Sequence, residues 1–407
     1  MSKQIDAAGV EQDVSIAMIE PVGGHGGAHY YDFGLARGLL AAGCRVSLYT
    51  CDETADPKIA GLGFFPFYRG IYGRDSRFVR MIRFLRGSLF VFKNAIFHRE
   101  RICHYQVFND LIPELVIITL AKLLRRKLVL TVHDVSSLAG PVTWKRRLTG
   151  WIYRSTDVVI AHNRVSLREL ESIGVPSQMI RVIVHGHYLD SVHKRPPEAE
   201  ARKALGIDPQ AKVVLFFGQI KDVKGLDLLI EALPAVSREV RDVVLLIAGR
   251  PWKSDFARYD SLIDATGVRS RCHLHIDFIP DDDVANYYAA ADVVALPYRR
   301  IYQSGVLMMA MTYGRAVVAS DLPGMTEIVT DGMNGYVFSL GVKNSLARTL
   351  IRALQDNQER VEIGLRALEY VRRKHDWNDI GDVTAHLFRK LLAPDSNPSL
   401  APRSEAK

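Results

Sequence analysis

The feature that most constrains this chain is a repeated alternation of strand-length apolar runs with helix-length segments. Val14–Glu20 reads VSIAMIE, and a glycine-rich turn follows it, Gly23-Gly24-His25-Gly26-Gly27. A helical stretch then ends at Gly43, and Cys44–Thr50 reads CRVSLYT. Unbroken apolar runs of this length suit strands buried on both faces, which is the situation in parallel sheets. Strand, turn, helix, strand is a βαβ unit, and such units imply a parallel sheet with right-handed crossovers. Lys127–His133, Asp157–His162 and Arg181–Gly186 continue the same pattern.

The alternation breaks at 193–204, which is charged and carries Pro196-Pro197, and then starts again. Ala211–Gly218, Asp242–Gly249, Cys272–Phe278, Asp292–Pro297 and Arg315–Ser320 are strand-like, with helical segments between them. The expected organisation is an N-terminal domain over 1–192, a linker over 193–204 and a C-terminal domain over 205–376. A helix over 377–394 is expected to cross back to the first domain, with a disordered Pro/Ser-rich tail over 395–407. A length of 407 residues suits two such domains at about 150 residues or more each. With 48% apolar and 24% charged residues, the chain is neither disordered, fibrous nor a polytopic membrane protein. It has no apolar run long enough for a membrane span, and its first residues lack a signal-peptide core. Cys44, Cys51, Cys103 and Cys272 form no CxxC pair, which points away from a zinc or disulfide framework and toward a reduced cytoplasm.

Ligands of open α/β sheets sit beyond the carboxyl ends of strands, at helix N-termini. Lys221 and Lys224 follow the strand Ala211–Gly218 and precede a helix, where cations can hold a diphosphate. Taken alone, two loop lysines are equally well explained as solvated. Gln303-Ser304-Gly305 opens a second apolar helix, and Ser304, Gly305 and Val306 would present backbone N–H groups to an anion. The plain alternative there is a serine N-cap. His133 ends a strand, with Asp134 placed to orient its ring or cap the next loop; packing at a strand end is the alternative. Asp281-Asp282-Asp283 invites a metal, yet the run heads a helix, and N-capping by one aspartate with dipole pairing explains it. The N-terminal glycines lack the G-x-G-x-x-G spacing, so a nicotinamide-dependent oxidoreductase is disfavoured.

These segments together resemble the retaining glycosyltransferases of glycosyltransferase family 4. The family's G-R-x-x-x-x-K-G signature is matched at Gly218, Lys224 and Gly225, with Gln219 in place of the arginine and Lys221 able to supply its charge. Its closing signatures are matched at Gly314–Ser320, Pro323–Val329 and Asp331–Gly335. The likeness runs over roughly 14–390 and is strongest in the second half. It implies the α/β GT-B fold, two Rossmann-like parallel-sheet domains facing across a cleft. It further implies a nucleotide-diphosphate-sugar donor on the second domain and a glycan or polyprenyl-diphosphate-linked acceptor on the first. No metal or other cofactor is expected. By the same resemblance Gly26 and Gly27 form the glycine pair near the donor phosphate, and His133 is the catalytic-site histidine that orients the donor sugar. His185-Gly186-His187-Tyr188 is expected to shape the hinge side of the cleft. The chain departs from the family where two glutamates eight positions apart are usual, because Ile301 and Met309 stand there. It resembles instead the subset with Q-S-G at Gln303–Gly305, which leaves Glu327 as the acidic candidate on the donor side. The implied activity is transfer with retained anomeric configuration in surface or exopolysaccharide biosynthesis. A nucleotide-sugar epimerase and a non-catalytic sugar-nucleotide-binding subunit are the alternatives.

Charge separates the halves. The chain holds 53 basic and 45 acidic residues, and residues 1–195 carry 26 and 17 of them, so all the excess is N-terminal. Within Arg74–Arg101, Arg74, Arg77, Arg80, Arg83 and Arg86 recur every third residue among Phe78, Ile82, Phe84, Leu85 and Phe90. On a helix this is a basic stripe beside an apolar one, the pattern of a membrane-surface helix. Leu123–Lys127 and Trp144–Arg147 add charge and an interfacial tryptophan. An internal amphipathic helix is the alternative. The expectation is peripheral attachment to the anionic inner face of the membrane, with no nucleic-acid partner, since no such motif is present.

Overall fold

The computed structural model describes residues 14–25, 29–107, 111–135, 143–252 and 255–393. Gly26, Gly27 and the tail expected over 395–407 lie outside the described residues. The chain forms two units, Met1–Gly186 with Trp377–Lys407, and His187–Asp376.

The first unit is built on seven parallel strands: β1 (Ser15–Glu20), β2 (Arg45–Cys51), β3 (Leu62–Tyr68), β4 (Ile102–Val107), β5 (Lys127–Val132), β6 (Val158–Ala161) and β7 (Ile180–Val182). Their order is β3-β2-β1-β4-β5-β6-β7. Two of them were not anticipated. β3 contains Pro66, which lacks the N–H a central strand needs, and it lies at the sheet edge, where proline is tolerated. β4 is central but reads ICHYQV, and its buried polar residues break the apolar run. His104 Nε2 lies 2.7 Å from Thr131 Oγ1 on neighbouring β5, so this polarity is satisfied between strands. The ladder of β7 stops at Val182, short of the strand expected to reach Gly186.

The helix Trp377–Leu392 belongs to this unit and lies along the helix His29–Ala41. The contact is backbone-close because glycines line it. A Cβ added to Gly34 would lie 2.0 Å from the Trp377 ring, and one on Gly38 would lie 1.9 Å from the Trp377 carbonyl oxygen. Trp377 is thereby sunk into the core, 4% exposed, beside Tyr31, Leu35 and Leu39.

The helix Arg77–Phe97 is capped by Ser76, whose Oγ accepts from Val79 N. It buries Phe84, Val91 and Phe92 and leaves Phe78, Leu89 and Phe97 at 75%, 62% and 80% exposure, an unusually apolar outer face. Among the described residues no helix is long and apolar enough to cross a membrane.

The second unit carries β8 (Lys212–Phe217), β9 (Val243–Ala248), β10 (Cys272–His275), β11 (Val293–Leu296), β12 (Ala316–Ser320) and β13 (Tyr336–Phe338). They are parallel, in the order β10-β9-β8-β11-β12-β13. Of the residues expected as linker, Glu198–Ala204 instead form a helix of this unit, because Arg202 is buried and donates to Asp292 at 2.9 Å. The aspartates Asp281–Asp283 form the first turn of the helix Asp281–Ala290, and the N-cap is Pro280 with no side-chain bond. They therefore act on the helix dipole and not as the expected N-cap.

Candidate active site

The second unit brings its candidate residues together at the carboxyl ends of β8 and β11. After β8 the chain passes Gly218, which has φ +91°, and reaches a short turn over Asp222–Lys224. Gly225 then starts the helix Leu226–Glu239 in the left-handed conformation, φ +66°, with its Cα packed against Pro297. A Cβ there would lie 2.0 Å from the Pro297 carbonyl oxygen, so only glycine fits. Gly218 matters by proximity: a Cβ on it would lie 3.4 Å from Lys224 Nζ and 3.3 Å from Val306 Cγ2. The lysine loop and the second helix N-terminus therefore flank one spot of bare backbone.

The loop is braced from outside. Arg299 donates to both carboxylate oxygens of Asp227 at 2.7 Å, and its backbone N–H donates to Val223 O at 2.8 Å. Lys224 Nζ lies 5.6 Å from the centre of the Tyr298 ring, and Lys221 Nζ lies 4.9 Å from that of Trp252. Burial, reinforced by the like charge of Lys221, pushes the Lys224 ammonium down to about 7. Such a cation lacks a counter-charge, which an anionic ligand would supply.

Ser304 is the N-cap of the helix Gly305–Thr312, its Oγ accepting from Leu307 N at 3.1 Å. The plain N-cap is thus present, and it is compatible with the expected anion site. The cap satisfies the third N–H of the helix, while those of Gly305 and Val306 have no acceptor within it. Gln303 Oε1 is buried and has no hydrogen-bond partner among the described residues. Met309 is a buried core residue of the same helix. Glu327 is exposed, just past the short helix Pro323–Thr326. That helix abuts the 301–302 backbone, since a Cβ on Gly324 would lie 2.8 Å from Tyr302 O. The Asp331–Gly335 motif is structural: Asp331 accepts from Val337 N at 2.8 Å, and Asn334 Oδ1 accepts from Thr330 N at 2.7 Å.

His133 lies in the first unit, just beyond β5, with Nε2 3.0 Å from Gln106 Oε1. With the amide oxygen as acceptor, Nε2 carries the proton and Nδ1 is an acceptor. The ring meets Tyr31 edge-on at 4.9 Å and His162 at 5.0 Å, and His185 and Trp377 complete the cluster around Tyr31. Burial, then the neighbouring imidazoles, hold His133 well below the usual histidine range, so it is neutral. At the end of β1, Glu20 accepts from Val22 N at 2.7 Å and from Gly23 N. Burial raises Glu20 to about 7, and buried Asp32 is raised well above its usual value by burial and by Glu20.

Sequence reasoning singled out the lysines and the second helix start but missed Tyr298, Trp252 and the aromatic partners of His133. Gly249-Arg250-Pro251-Trp252, a glycine-proline turn at a strand end, was the available signal for Trp252. Tyr31, His162 and Trp377 lie far from His133 in the chain, and only the sheet joins them.

Residues 25–190 match the family described as Glycosyltransferase Family 4, and residues 211–356 that described as Glycosyl transferases group 1. A D-inositol 3-phosphate glycosyltransferase of Corynebacterium urealyticum is 27% identical over 61% of this chain and 60% of its own length. The lipopolysaccharide core biosynthesis mannosyltransferase LpsB of Rhizobium meliloti is 31% identical over 57% of this chain and 62% of its own. The chain thus spans less than two thirds of the length of these relatives. Among solved structures, Anabaena HepE in complex with UDP-glucose has the same fold, with a TM-score of 0.72 at 20% identity over 92% of this chain and 99% of that one. A glycosyltransferase family model thus matches the larger part of each half of the chain, and the two parallel-sheet units carry the fold of HepE.

Proposed function

We propose that the protein transfers a sugar, with retained anomeric configuration, from a nucleotide-diphosphate sugar to a glycan or lipid-linked saccharide. The observation that carries this is the convergence of Lys224 and the Val306 helix start on the bare backbone of Gly218. In this reading Lys221, Lys224 and the N–H groups of Gly305 and Val306 hold the donor diphosphate. Their positive potential grows in worth as the bond from the anomeric carbon to the diphosphate oxygen breaks and charge collects on that oxygen. The acceptor hydroxyl bonds to the anomeric carbon from the same face, and its proton passes to the leaving diphosphate oxygen. No enzyme nucleophile is needed. Gln303 Oε1, buried without a partner among the described residues, accepts from a donor hydroxyl where the family's glutamates are replaced by Ile301 and Met309. Glu327 is a further candidate for the donor sugar, and Trp252, 45% exposed, offers a flat face to the base. His133, held neutral, serves as a hydrogen-bonding residue that orients the sugar.

The relatives named above give the reading its substrate classes: UDP-glucose is bound by one, and lipopolysaccharide core is built by another. We extend it to a role in surface-polysaccharide synthesis on the inner membrane face. The exposed Phe78, Leu89 and Phe97 beside the arginines of the same helix support contact with an anionic bilayer. The reading requires no metal. The test is a panel of nucleotide sugars screened by thermal shift, followed by product analysis with polyprenyl-linked acceptors. A glycosylated acceptor with the donor's anomeric configuration supports the proposal. An epimerised nucleotide sugar formed from donor alone, or binding without turnover on any acceptor, overturns it.

A further inference from the structure

A cavity of about 750 Å³ opens at the other end of the second sheet, where Lys212 begins β8 and Ala316 begins β12. It lies away from the diphosphate loop, which follows the carboxyl ends of the strands. Its floor is an ion network. Asp292, buried, accepts from Arg202 at 2.9 Å, from Arg360 at 2.5 Å and from the Val213 N–H at 2.7 Å. Arg202 and Arg360 are themselves 4% exposed. This network anchors the helices Glu198–Ala204 and Asn357–Lys374 to the sheet, and anchoring accounts for those three residues.

It does not account for the rest of the wall. Lys194, Arg195, Lys212 and Arg315 line the same cavity, and the other carboxylate lining it is Glu198. Glu198 already pairs with Arg202 at 3.0 Å and stands 3.7 Å from Arg315. Arg315 spends one nitrogen on Ala289 O at 2.7 Å, while its Nε is buried with no partner among the described residues. Burial, then the like charge of Arg195, lowers its guanidinium to about 10, although Glu198 and Asp292 act in the opposite direction. A walled cavity with a surplus of cations concentrates anions, and guanidinium forks match phosphate oxygens in geometry. The volume exceeds what one phosphate fills.

We propose that this cavity is a second anion site of the molecule, taking a small ligand that carries a diphosphate group. Arg195 and Arg315 supply the forks and Lys194 and Lys212 the outer charges. The site is independent of the donor pocket, so the two can fail separately.

The test is calorimetric titration of inorganic pyrophosphate into the full chain. The Lys221→Ala/Lys224→Ala variant removes the donor lysines, and one pyrophosphate site is expected to remain in it. Adding Arg195→Gln and Lys212→Gln, two changes outside the buried network, should weaken that site at least tenfold, with the melting temperature checking the fold. Arg315→Gln should weaken it further; should that variant not fold, the first pair decides alone. Uridine diphosphate should bind this site no more tightly than pyrophosphate, because the wall offers charge and no exposed aromatic face. Loss of all pyrophosphate binding in the Lys221→Ala/Lys224→Ala variant, or binding unchanged by Arg195→Gln/Lys212→Gln, overturns the proposal. Two unchanged sites in the Lys221→Ala/Lys224→Ala variant would instead count against the donor pocket.

Discussion

At the scale of single residues, the account turns on an ammonium held near neutrality. Lys224 titrates at about 7 in the free protein, and a bound diphosphate raises that value again. Below pH 7 the free lysine is already charged and the phosphates of a nucleotide-diphosphate sugar stay ionised, so affinity for that ligand should be flat. Above pH 7 the free lysine loses its proton and binding must restore it, so affinity should fall by up to tenfold per pH unit. Calorimetry at pH 8 in buffers of differing ionisation heat should register proton uptake on binding, and uptake of none would contradict this. Glu20 gives a second titration of opposite use. Its pKa rises from 4.5 to about 7 on folding, so the folded chain keeps a proton that the unfolded chain releases between those values. Stability contributed there is present below pH 4.5 and lost as pH rises toward 7. Melting of Glu20→Gln against wild type across pH 4.5–8 should show a smaller loss in the variant, which keeps only the raised carboxyl of Asp32; parallel curves would contradict it. Lys221, Lys224 and Ser304–Val306 were legible in the sequence because strand end, polar loop and helix start are contiguous. Gln303 was legible as a motif member, but its unpartnered oxygen was not, since burial of one atom depends on packing. The environment of His133 was illegible for the same reason: its neutral state comes first from burial and then from His162, His185 and His104, which are distant in the chain.

At the scale of elements, apolar runs identified most strands, and exceptions follow from what edges and polar cores permit. Pro66 hides an edge strand, and His104 and Gln106 hide a central one. The glycines of the helix His29–Ala41 read as weak helix formers in sequence, yet Gly34 and Gly38 are the groove that receives Trp377. Trp377→Ala should cost about 3–5 kcal/mol in the first unit, by cavity formation and lost burial. Chemical denaturation measures it, and a loss under about 1 kcal/mol would contradict the packing described. The helix Arg77–Phe97 carries a different prediction. Phe78→Ser/Leu89→Ser/Phe97→Ser should leave stability nearly unchanged, because those side chains are largely exposed, and should weaken sedimentation with anionic liposomes severalfold. Equal co-sedimentation of variant and wild type would remove the membrane role from this helix.

At the scale of the whole molecule, the charge asymmetry and the two sheets have separate explanations. The second half is nearly neutral in sum, with 27 basic and 28 acidic residues over 196–407, yet it holds two local concentrations of cations at opposite ends of its sheet. Net charge therefore hid both of the proposed anion sites, where folding gathers lysines and arginines. The first half carries its excess largely on the surface, on the helix Arg77–Phe97 and around Arg125–Lys127. The central claim concerns the donor site, and thermal shift with a nucleotide-sugar panel on wild type and Lys224→Ala tests it most directly. At least one nucleotide-diphosphate sugar should raise the melting temperature of wild type by several degrees and that of Lys224→Ala little or not at all. Equal stabilisation of both proteins by the same nucleotide sugar would contradict the account.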